Sequence, residues 1–278
     1  MVEGLKFWKM HGAGNDFMVI DNRDGKIKEN KLSEFAKRFC ERKFSVGADG
    51  LLLVYNSDVA DVKMRMFNPD GTEAEMCGNG IRCFVKFCYE NGITRKKDLK
   101  VETLAGIKHI WLSVNGEVKS VKVDMGAPSF ARKSLRVRGG GKCLGKRLKV
   151  NGETYEVTCL SIGNPHCVLF VDDLDAFPVQ KIGPKIEVHK VFPNRTNVEF
   201  VQVVNRGEIR VRVWERGARE TLACGTGACA SAVASYYLGK TDKEVTVHLL
   251  GGDLKILYDR RIFMTGPAVK AFTGELFA

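Results

Sequence analysis

The chain has 278 residues and a formal net charge of +11, with 44% hydrophobic and 28% charged residues. This length and composition suit a globular protein of one large or two medium domains. The N-terminus does not resemble a signal peptide, and no apolar run is long enough for a membrane span. The odd number of cysteines, nine, argues against a secreted disulfide framework. We therefore expect a cytoplasmic protein that has no membrane partner.

The excess positive charge is concentrated in residues 131–150, which contain eight Lys or Arg and no acidic residue. Such a run could contact nucleic acid. The chain has no helix-turn-helix, zinc-finger or aromatic-rich RNA-binding pattern that would favour this function. A solvated loop or hairpin is the simpler interpretation, so we expect no nucleic-acid partner.

Short strands separated by turns dominate the first half. Ser33 is predicted to cap a helix that ends near Arg42, and a second helix is predicted from Cys77 to about Asn91, stopped by Gly92. Asn115-Gly116 indicates a hairpin. The predicted strands are Leu5–Met10, Phe17–Ile20, Leu51–Tyr55, Asp61–Phe67, Lys100–Thr103, Lys108–Val114 and Val118–Met125.

The second half repeats this scheme. A helix is predicted from Cys224 to Leu238, and residues 182–188 form either a short helix or an irregular segment. Since turns and hairpins join most strands, antiparallel pairing should dominate. The predicted strands are Thr154–Ser161, Cys167–Val171, Asn197–Val204, Glu208–Glu215, Glu244–Leu249, Asp253–Tyr258 and Arg261–Thr265.

One sequence module occurs twice. Arg65–Phe67 and Arg212–Trp214 are both Arg-x-aromatic triplets, and each precedes, at the same spacing, a Cys-Gly-x-Gly motif that opens a predicted helix. Because the repeat is domain-sized, it indicates a duplicated domain rather than a solenoid. We therefore predict an α+β fold of two pseudo-symmetric domains, each a bent, mostly antiparallel sheet wrapped around one apolar helix. Pseudo-twofold symmetry would place two equivalent cysteines across one cleft.

The two Cys-Gly-x-Gly motifs, Cys77–Gly80 and Cys224–Gly227, have the features of a paired acid and base. A helix N-terminus offers unpaired N–H groups to a carboxylate and lowers the pKa of a cysteine placed there. Inversion of an α-carbon needs a base on one face and an acid on the other. A single cysteine near glycines is usually a core residue, but the duplication argues against that here.

The other seven cysteines are expected to be core or incidental residues, and their spacing does not match a zinc ribbon, so no metal site is predicted. His166 follows a proline in a polar turn and could lie near a thiol, although a lone histidine is more often structural. Glu215-Arg216 could be a surface ion pair. Their position beside the second cysteine module favours ligand binding instead.

Eight motifs, in this order and over nearly the whole chain, closely resemble the diaminopimelate epimerase family. They are Lys9–Phe17, Gly47–Gly50, Phe67–Gly71, Cys77–Gly80, Gly163–His166, Thr196–Glu199, Trp214–Gly217 and Cys224–Gly227. The resemblance implies an isomerase without pyridoxal phosphate or any other cofactor, which epimerises LL-2,6-diaminopimelate to the meso form in lysine and peptidoglycan-precursor synthesis. Cys77 and Cys224 would be the acid and the base.

The resemblance also implies roles for the surrounding residues. His166 and Glu215 would adjust the pKa values of the thiols, and Arg216 would bind the distal carboxylate. One departure is Gly50, where some members of the family carry Gln. The implied substrate contacts are Asn15, Asn68, Gly78, Asn79, Asn164, Asn197, Glu215, Arg216, Gly225 and Thr226.

The family is typically homodimeric, and its last strand returns to the first domain. The expected domains are therefore residues 1–125 with 267–278, and residues 126–266. The nearest alternative is a proline or hydroxyproline racemase of the same duplicated fold, while phenazine-type isomerases lack the cysteine pair. A thiol redox protein is disfavoured because the chain has no Cys-x-x-Cys motif.

Overall fold

The computed structural model describes residues 3–131, Leu135 and residues 142–277. The chain divides into two compact units. Unit 1 comprises the residues up to Asp124 together with those from Thr265 onward, and unit 2 extends from Met125 to Met264. Much of the basic run, residues 132–134 and 136–141, and the loop or hairpin predicted there, lie outside the described residues.

Unit 1 combines two α-helices with a sheet. Its helices are α1 (Leu32–Cys40), which a 3-10 turn at Glu29–Lys31 precedes, and α2 (Gly78–Glu90). Its strands are β1 (Glu3–Gly12), β2 (Asn15–Asp21), β3 (Gly50–Tyr55), β4 (Val62–Phe67), β5 (Glu73–Ala74), β6 (Asp98–Thr103), β7 (Gly106–Asn115), β8 (Glu117–Gly126) and β18 (Val269–Phe277).

Within its described residues, unit 2 has the same numbers of α-helices and strands. Its helices are α3 (Val179–Glu187) and α4 (Gly225–Tyr237). Its strands are β9 (Lys146–Val150), β10 (Glu153–Ser161), β11 (Pro165–Phe170), β12 (Asn197–Asn205), β13 (Glu208–Glu215), β14 (Arg219–Thr221), β15 (Glu244–Leu249), β16 (Gly252–Asp259) and β17 (Arg261–Gly266).

Strand pairing repeats between the units. In unit 1, β2 runs parallel to β3 and β4 runs parallel to β6, while in unit 2 the corresponding parallel pairs are β11 with β12 and β13 with β15. The other pairings in these stretches are antiparallel, as in β3–β4 and β12–β13. The registers also agree. Phe17, two residues after Asn15, lies opposite Gly50, and His166, two residues after Asn164, lies opposite Asn197. Gly50 and Asn197 precede Cys77 and Cys224 by the same distance in the sequence. The α+β duplicated fold predicted from the sequence is therefore confirmed.

A repeated ion pair marks the same position in both units. Arg65 Nε lies 2.7 Å from Glu73 Oε1, and Arg212 Nε lies 2.7 Å from Glu220 Oε1. Each pair joins a long strand to the short strand that leads into a Cys-Gly-x-Gly motif. These short strands, β5 and β14, were not predicted from the sequence because two or three residues carry no periodicity. The ion pairs fix the approach of the chain to α2 and α4.

The helices after the two motifs are buried on all sides. Every residue from Gly78 to Cys88 of α2 is buried, and so is every residue from Gly227 to Ser235 of α4. The Ala- and Ser-rich α4 is small-sided on every face, whereas α2 also buries Arg82 and Lys86, which donate to the backbone oxygens of Gly78 and Val118. Each unit therefore holds the start of one helix rigidly inside a sheet.

Two predictions about local structure need correction or extension. Ser33 does not cap α1; the helix starts at Leu32, and the Leu32 N–H donates instead to Glu29 O of the preceding 3-10 turn. The last strand predicted from the residues, Arg261–Thr265, corresponds to β17, and the separate strand β18, which pairs antiparallel with β1, was not predicted from the residue pattern. Among the described residues, no helix is both long and apolar enough to cross a membrane.

Candidate active site

The half-site in unit 1 is built on the N-terminus of α2. Cys77 is the N-cap residue, with an extended backbone, and its Sγ donates to Asn15 Oδ1 at 3.6 Å. Asn79 Nδ2 donates to the same oxygen at 3.3 Å. Asn15 follows the tight turn between β1 and β2, where Gly14 has a positive φ of 82°. The half-site thus holds a thiol that already has a defined acceptor.

The amide of Asn15 is oriented by a charged cluster behind it. Asn15 Nδ2 donates to Asp49 Oδ2 at 2.8 Å, and Asp49 and Asp16 each accept from the backbone N–H of the other. Although burial opposes it, hydrogen bonds from Arg42 and Lys9 lower the pKa of Asp16 to about 2. Asp16 is therefore ionised at neutral pH, and the cluster keeps the Asn15 oxygen directed toward Cys77.

Arg82 fixes the first turn of α2 from inside. Its guanidinium, which is fully buried, donates to Gly78 O at 2.9 Å and to Asn79 Oδ1 at 2.9 Å. It also donates to Pro267 O at 3.1 Å, which ties the returning chain of unit 1 to this helix. A side chain on Gly12 would press on this guanidinium, because a Cβ there would lie 3.0 Å from Arg82 Nη2. The first turn therefore has little freedom to move.

The half-site in unit 2 is built on the N-terminus of α4. Cys224 is the N-cap residue and is only 6% exposed. Its Sγ accepts from the Gly227 N–H at 3.4 Å and lies 3.4 Å from Thr226 Oγ1. Whereas Cys77 donates, Cys224 is placed to accept. The N–H groups of a helix N-terminus suit both the sulfur and an incoming carboxylate.

A chain of hydrogen bonds leads away from Cys224. Asn164 Nδ2 donates to Thr226 Oγ1 at 3.2 Å, and Asn164 Oδ1 lies 2.9 Å from His166 Nε2. His166 Nδ1 lies 2.6 Å from Glu199 Oε1, and both side chains are fully buried. His166, Asn164 and Thr226, all predicted from the sequence as site residues, thus belong to one network with the cysteine.

The ionisation of Cys224 differs from the sequence-based expectation. Burial, and then the carboxylates of Glu215 and Glu199, raise the pKa of the Cys224 thiol well above its ordinary value, although Thr226 and the Gly227 N–H oppose them. The expectation of a lowered pKa at a helix N-terminus is therefore wrong for this cysteine. The local helix contribution is smaller than the cost of removing a thiolate from water.

Three further predicted residues form a second group in unit 2. Asn197 Oδ1 accepts from the Arg216 backbone N–H at 2.8 Å, and Asn197 Nδ2 donates to Pro165 O at 3.2 Å. Glu215 Oε1 accepts from Thr221 Oγ1 at 2.6 Å. The Arg216 guanidinium is exposed and donates to Asn194 O at 3.3 Å. Glu215 and Arg216 do not pair with each other in these contacts, so the surface ion pair considered from the sequence is not what this structure shows.

Asn68 and Gly50 occupy other local environments. Asn68 lies in the turn after β4, where its Nδ2 donates to Thr72 Oγ1 at 3.0 Å. Gly50 is buried, and a Cβ there would lie 3.2 Å from both Met66 Cε and Phe67 O. The glutamine that the family resemblance implies for some members would therefore need room that this chain fills with the β4 backbone and a methionine.

The remaining cysteines are all buried, as the sequence predicted. Burial raises the pKa of Cys40 and of Cys83 to about 12, which keeps both as inert thiols. Within the residues that the structure describes, no group of three or more His, Cys, Asp or Glu side chains is arranged to hold a metal ion.

Comparison with known proteins identifies the family. The family model for diaminopimelate epimerase matches residues 7–131 and 158–271. A diaminopimelate epimerase of Moorella thermoacetica is 52% identical over 98% of this chain and 99% of its own length, and one of Methanococcus maripaludis is 48% identical over 98% and 99%. The chain belongs to the diaminopimelate epimerase family.

Solved structures with the same fold are more distant from this member of the diaminopimelate epimerase family. A PhzF-family phenazine biosynthesis protein of Bacillus anthracis has a TM-score of 0.72 at 21% identity, covering 99% of this chain and 100% of that one. A probable proline racemase of Agrobacterium radiobacter K84, solved with bound carbonate, has a TM-score of 0.71 at 15% identity, covering 98% and 93%. At these identities the likeness shows the fold alone.

Two residues that contact the predicted site were not predicted from the sequence of this epimerase-family chain. Asp49 orients Asn15, and Glu199 contacts His166. Both lie inside motifs that carried the family resemblance. For Glu199 a local signal did exist, because a carboxylate stands alone in the otherwise apolar or neutral strand β12. A buried charge of this kind needs a partner and often marks a functional site.

Proposed function

We propose that this protein is an isomerase that epimerises LL-2,6-diaminopimelate to meso-2,6-diaminopimelate, a step of lysine and peptidoglycan-precursor synthesis. Relatives that bear the name diaminopimelate epimerase match nearly the whole chain at about half identity. The observation that carries the proposal is the repeated half-site. In each unit a cysteine caps a buried helix whose first residues are Gly-x-Gly.

The chemistry follows from the two helix N-termini. We propose that the reacting carboxylate is held by the backbone N–H groups at Gly78-Asn79 and Gly225-Thr226. When the α-proton leaves, negative charge moves into this carboxylate, and helix N–H groups stabilise it where it develops. The α-carbon then becomes acidic enough for a thiolate to act as its base.

Cys77 and Cys224 would act on opposite faces of that carbon. The thiolate takes the α-proton and becomes a thiol, while the other thiol donates its proton to the opposite face and becomes a thiolate. The exchanged protonation state is the one required for the reverse direction. In the structure Cys77 donates to Asn15 and Cys224 accepts from the Gly227 N–H. Each cysteine would serve as the acid in one direction of the reaction and as the base in the other.

Residues around the sulfurs would bind the rest of the substrate. Arg216 is exposed, and its planar guanidinium can bind a distal carboxylate bidentately. Glu215 and His166 would adjust the thiol ionisation, which agrees with the effect of Glu215 on Cys224. We propose as further contacts to the substrate the side chains of Asn15, Asn68, Asn79, Asn164, Asn197 and Glu215.

The remaining properties are proposed with the function. The protein would work without pyridoxal phosphate, metal or other cofactor, as a cytoplasmic homodimer with no nucleic-acid partner. Its catalytic domains would be residues 1–125 with 267–278, and residues 126–266. A proline or hydroxyproline racemase is not favoured, because proline has no second head group for Arg216 and the likeness to such enzymes is confined to the fold.

Exchange of the α-proton in D₂O tests the proposal. The purified protein, treated with a chelator and given no cofactor, should convert LL-diaminopimelate to the meso form and place deuterium at the inverted carbon. L-Proline under the same conditions is the matched control and should not exchange. Turnover of L-proline without turnover of diaminopimelate would show that diaminopimelate is not the substrate. A requirement for an added cofactor would contradict the two-thiol mechanism.

A further inference from the structure

Equivalent positions in the two half-sites carry different chemistry. The strand registers make Phe17 the counterpart of His166, and Leu52 the counterpart of Glu199. In unit 1, a Cβ on Gly80 would meet the apolar side chains of Leu52 and Phe17 at 3.3 and 3.4 Å. In unit 2, a Cβ on Gly227 would meet Glu199 Oε1 at 3.0 Å. Two apolar side chains thus support the first helix start, and a histidine–glutamate pair takes their place in the second.

The histidine–glutamate pair is enclosed by protein. Both side chains have 0% exposure, and 2.6 Å separates His166 Nδ1 from Glu199 Oε1. Glu199 Oε2 has no hydrogen-bond partner within the described residues. An isolated carboxylate here would be costly, and a hydrogen-bonded partner reduces that cost. Desolvation by burial raises the pKa of Glu199, which favours the neutral carboxyl form.

The hydrogen-bond directions along the chain determine the tautomer of His166. Since Asn164 Nδ2 donates to Thr226, the Asn164 oxygen faces His166 and can only accept, so Nε2 must carry a proton. One proton then remains for the short contact between Nδ1 and Glu199 Oε1. Thr226 Oγ1 accepts from Asn164, which leaves its own hydrogen free to point at Cys224 Sγ, 3.4 Å away.

We propose that Glu199 is a positioning residue that acts through His166 on Cys224. By sharing one proton with Nδ1, Glu199 keeps the other imidazole proton on Nε2, and this orients Asn164 and Thr226 so that the Thr226 hydroxyl donates to the sulfur. The inference rests on the proposed role of Cys224 as acid or base. It can be tested without substrate, so its failure and the failure of the proposed reaction are distinguishable.

A purely electrostatic role of Glu199 and a positioning role predict opposite changes in the pKa of the Cys224 thiol when Glu199 is removed. The ionisable groups that act on Glu199 are His166 from β11 and Glu215 from β13, and Glu199 in turn acts on Cys224. If Glu199 mattered only as a nearby negative charge, removing it would lower the pKa of the Cys224 thiol. If it positions the donor chain, removing it lets the imidazole change tautomer, the Asn164 amide turn over and Thr226 donate to Asn164 instead. The thiolate then loses a donor and the pKa rises.

The test is the alkylation rate of Cys224 in a Cys77→Ala background, measured by mass spectrometry at a fixed pH below the pKa of the thiol. Glu199→Leu copies the apolar counterpart in unit 1. We expect its alkylation to fall about tenfold, the effect of one hydrogen bond to a charged atom. Glu199→Gln can still donate to Nδ1, so its rate should stay within about twofold of the background. Leu52→Val, at the equivalent position of unit 1, is the matched control and should not change the rate.

A double-mutant cycle identifies the route. His166→Phe and Glu199→Leu together rebuild the apolar pair of unit 1, and their combined effect should equal that of either change alone because both act through one chain. Faster alkylation in Glu199→Leu, or equal effects of Leu and Gln, would overturn the proposal. Should Glu199→Leu not fold, ¹⁵N NMR of the imidazole still decides, since His166 must be protonated on Nε2 in the wild type and in Glu199→Gln. A proton on Nδ1 alone would contradict it.

Discussion

The two half-sites share a backbone arrangement and differ in the side chains that surround the two cysteines. In unit 1, Cys77 donates to an amide oxygen that an Asp–Arg–Lys cluster holds in place. In unit 2, Cys224 accepts from a helix N–H and is connected to a buried histidine–glutamate pair. The two units therefore place equivalent sulfurs at their helix starts, one as a hydrogen-bond donor and the other as an acceptor.

The same asymmetry appears at the ends of β4 and β13. Unit 1 has Asn68-Pro69 where unit 2 has Glu215-Arg216, so only unit 2 offers a guanidinium at this position. Recognition of a second carboxylate would thus belong to unit 2. An enzyme that must treat the two ends of diaminopimelate differently needs such a difference between its halves.

Removal of either sulfur should give the largest effect. Cys77→Ala and Cys224→Ala should each lower kcat for LL-diaminopimelate by at least ~10²–10⁴-fold, because the acid or the base is lost. Circular dichroism should show that both variants stay folded, and Cys83→Ala, in the core of α2, is the control that keeps both reacting thiols. Near-wild-type turnover in either variant would show that one sulfur suffices.

Substitution of Arg216 tests whether unit 2 alone recognises the distal carboxylate. Lysine cannot reproduce the planar fork of arginine, and losing one partner of such a charge pair costs ~2–5 kcal/mol. Arg216→Lys should therefore lower kcat/KM by roughly 30-fold or more. Saturating substrate should not restore the rate, because orientation is lost as well. Arg195→Lys, an exposed arginine that pairs with Glu187, should keep wild-type kinetics. Unchanged kinetics in Arg216→Lys would show that another residue binds the distal carboxylate.

Replacing equivalent glycines by alanine should destabilise the protein more in unit 2 than in unit 1. Gly227→Ala brings a Cβ within 3.0 Å of Glu199 Oε1 and 3.2 Å of Cys224 Cβ, so we expect a loss of about 1–3 kcal/mol in the free energy of unfolding. Gly80→Ala meets Leu52 Cδ2 at 3.3 Å, and a flexible leucine can shift. The helix propensity of alanine should offset most of that contact. Urea unfolding measures both variants, and a more stable Gly227→Ala than Gly80→Ala would contradict the packing described.

Acid should weaken unit 1 through Asp16, whose counterpart in unit 2 is Pro165. The pKa of Asp16 in the folded protein, about 2, lies below its value in the unfolded chain. Its contribution is therefore complete above pH ~4 and is lost as the pH falls toward ~2. Asp16→Asn should lose at most ~2 kcal/mol at neutral pH and show a flatter acid limb in urea titrations. Asp242→Asn, which removes an exposed carboxyl of unit 2, should follow the wild-type limb.

Local patterns in the sequence predicted the two helix starts, because Cys-Gly-x-Gly and its spacing were retained in both copies. They did not predict the burial and the charged neighbours that control the ionisation of Cys224. Glu199 reaches Gly227 from a strand distant in the chain, and burial of Cys224 outweighs the helix N-terminus. Ser33 failed as a cap for a similar reason, since the preceding 3-10 turn supplies the backbone acceptor. Short strands such as β14 depend on an ion pair rather than on periodicity.

The position of solvent deuterium early in the reaction tests the central claim most directly. If Cys77 and Cys224 act on opposite faces, the first meso-diaminopimelate formed in D₂O should carry deuterium at the inverted carbon, while the remaining LL substrate still carries protium. This pattern arises because the thiol that donates its proton has already exchanged with solvent, whereas the thiol that takes the α-proton has not released it. Product that retains the substrate proton, or LL substrate that gains deuterium as fast as the product appears, would contradict a mechanism with two different sulfurs.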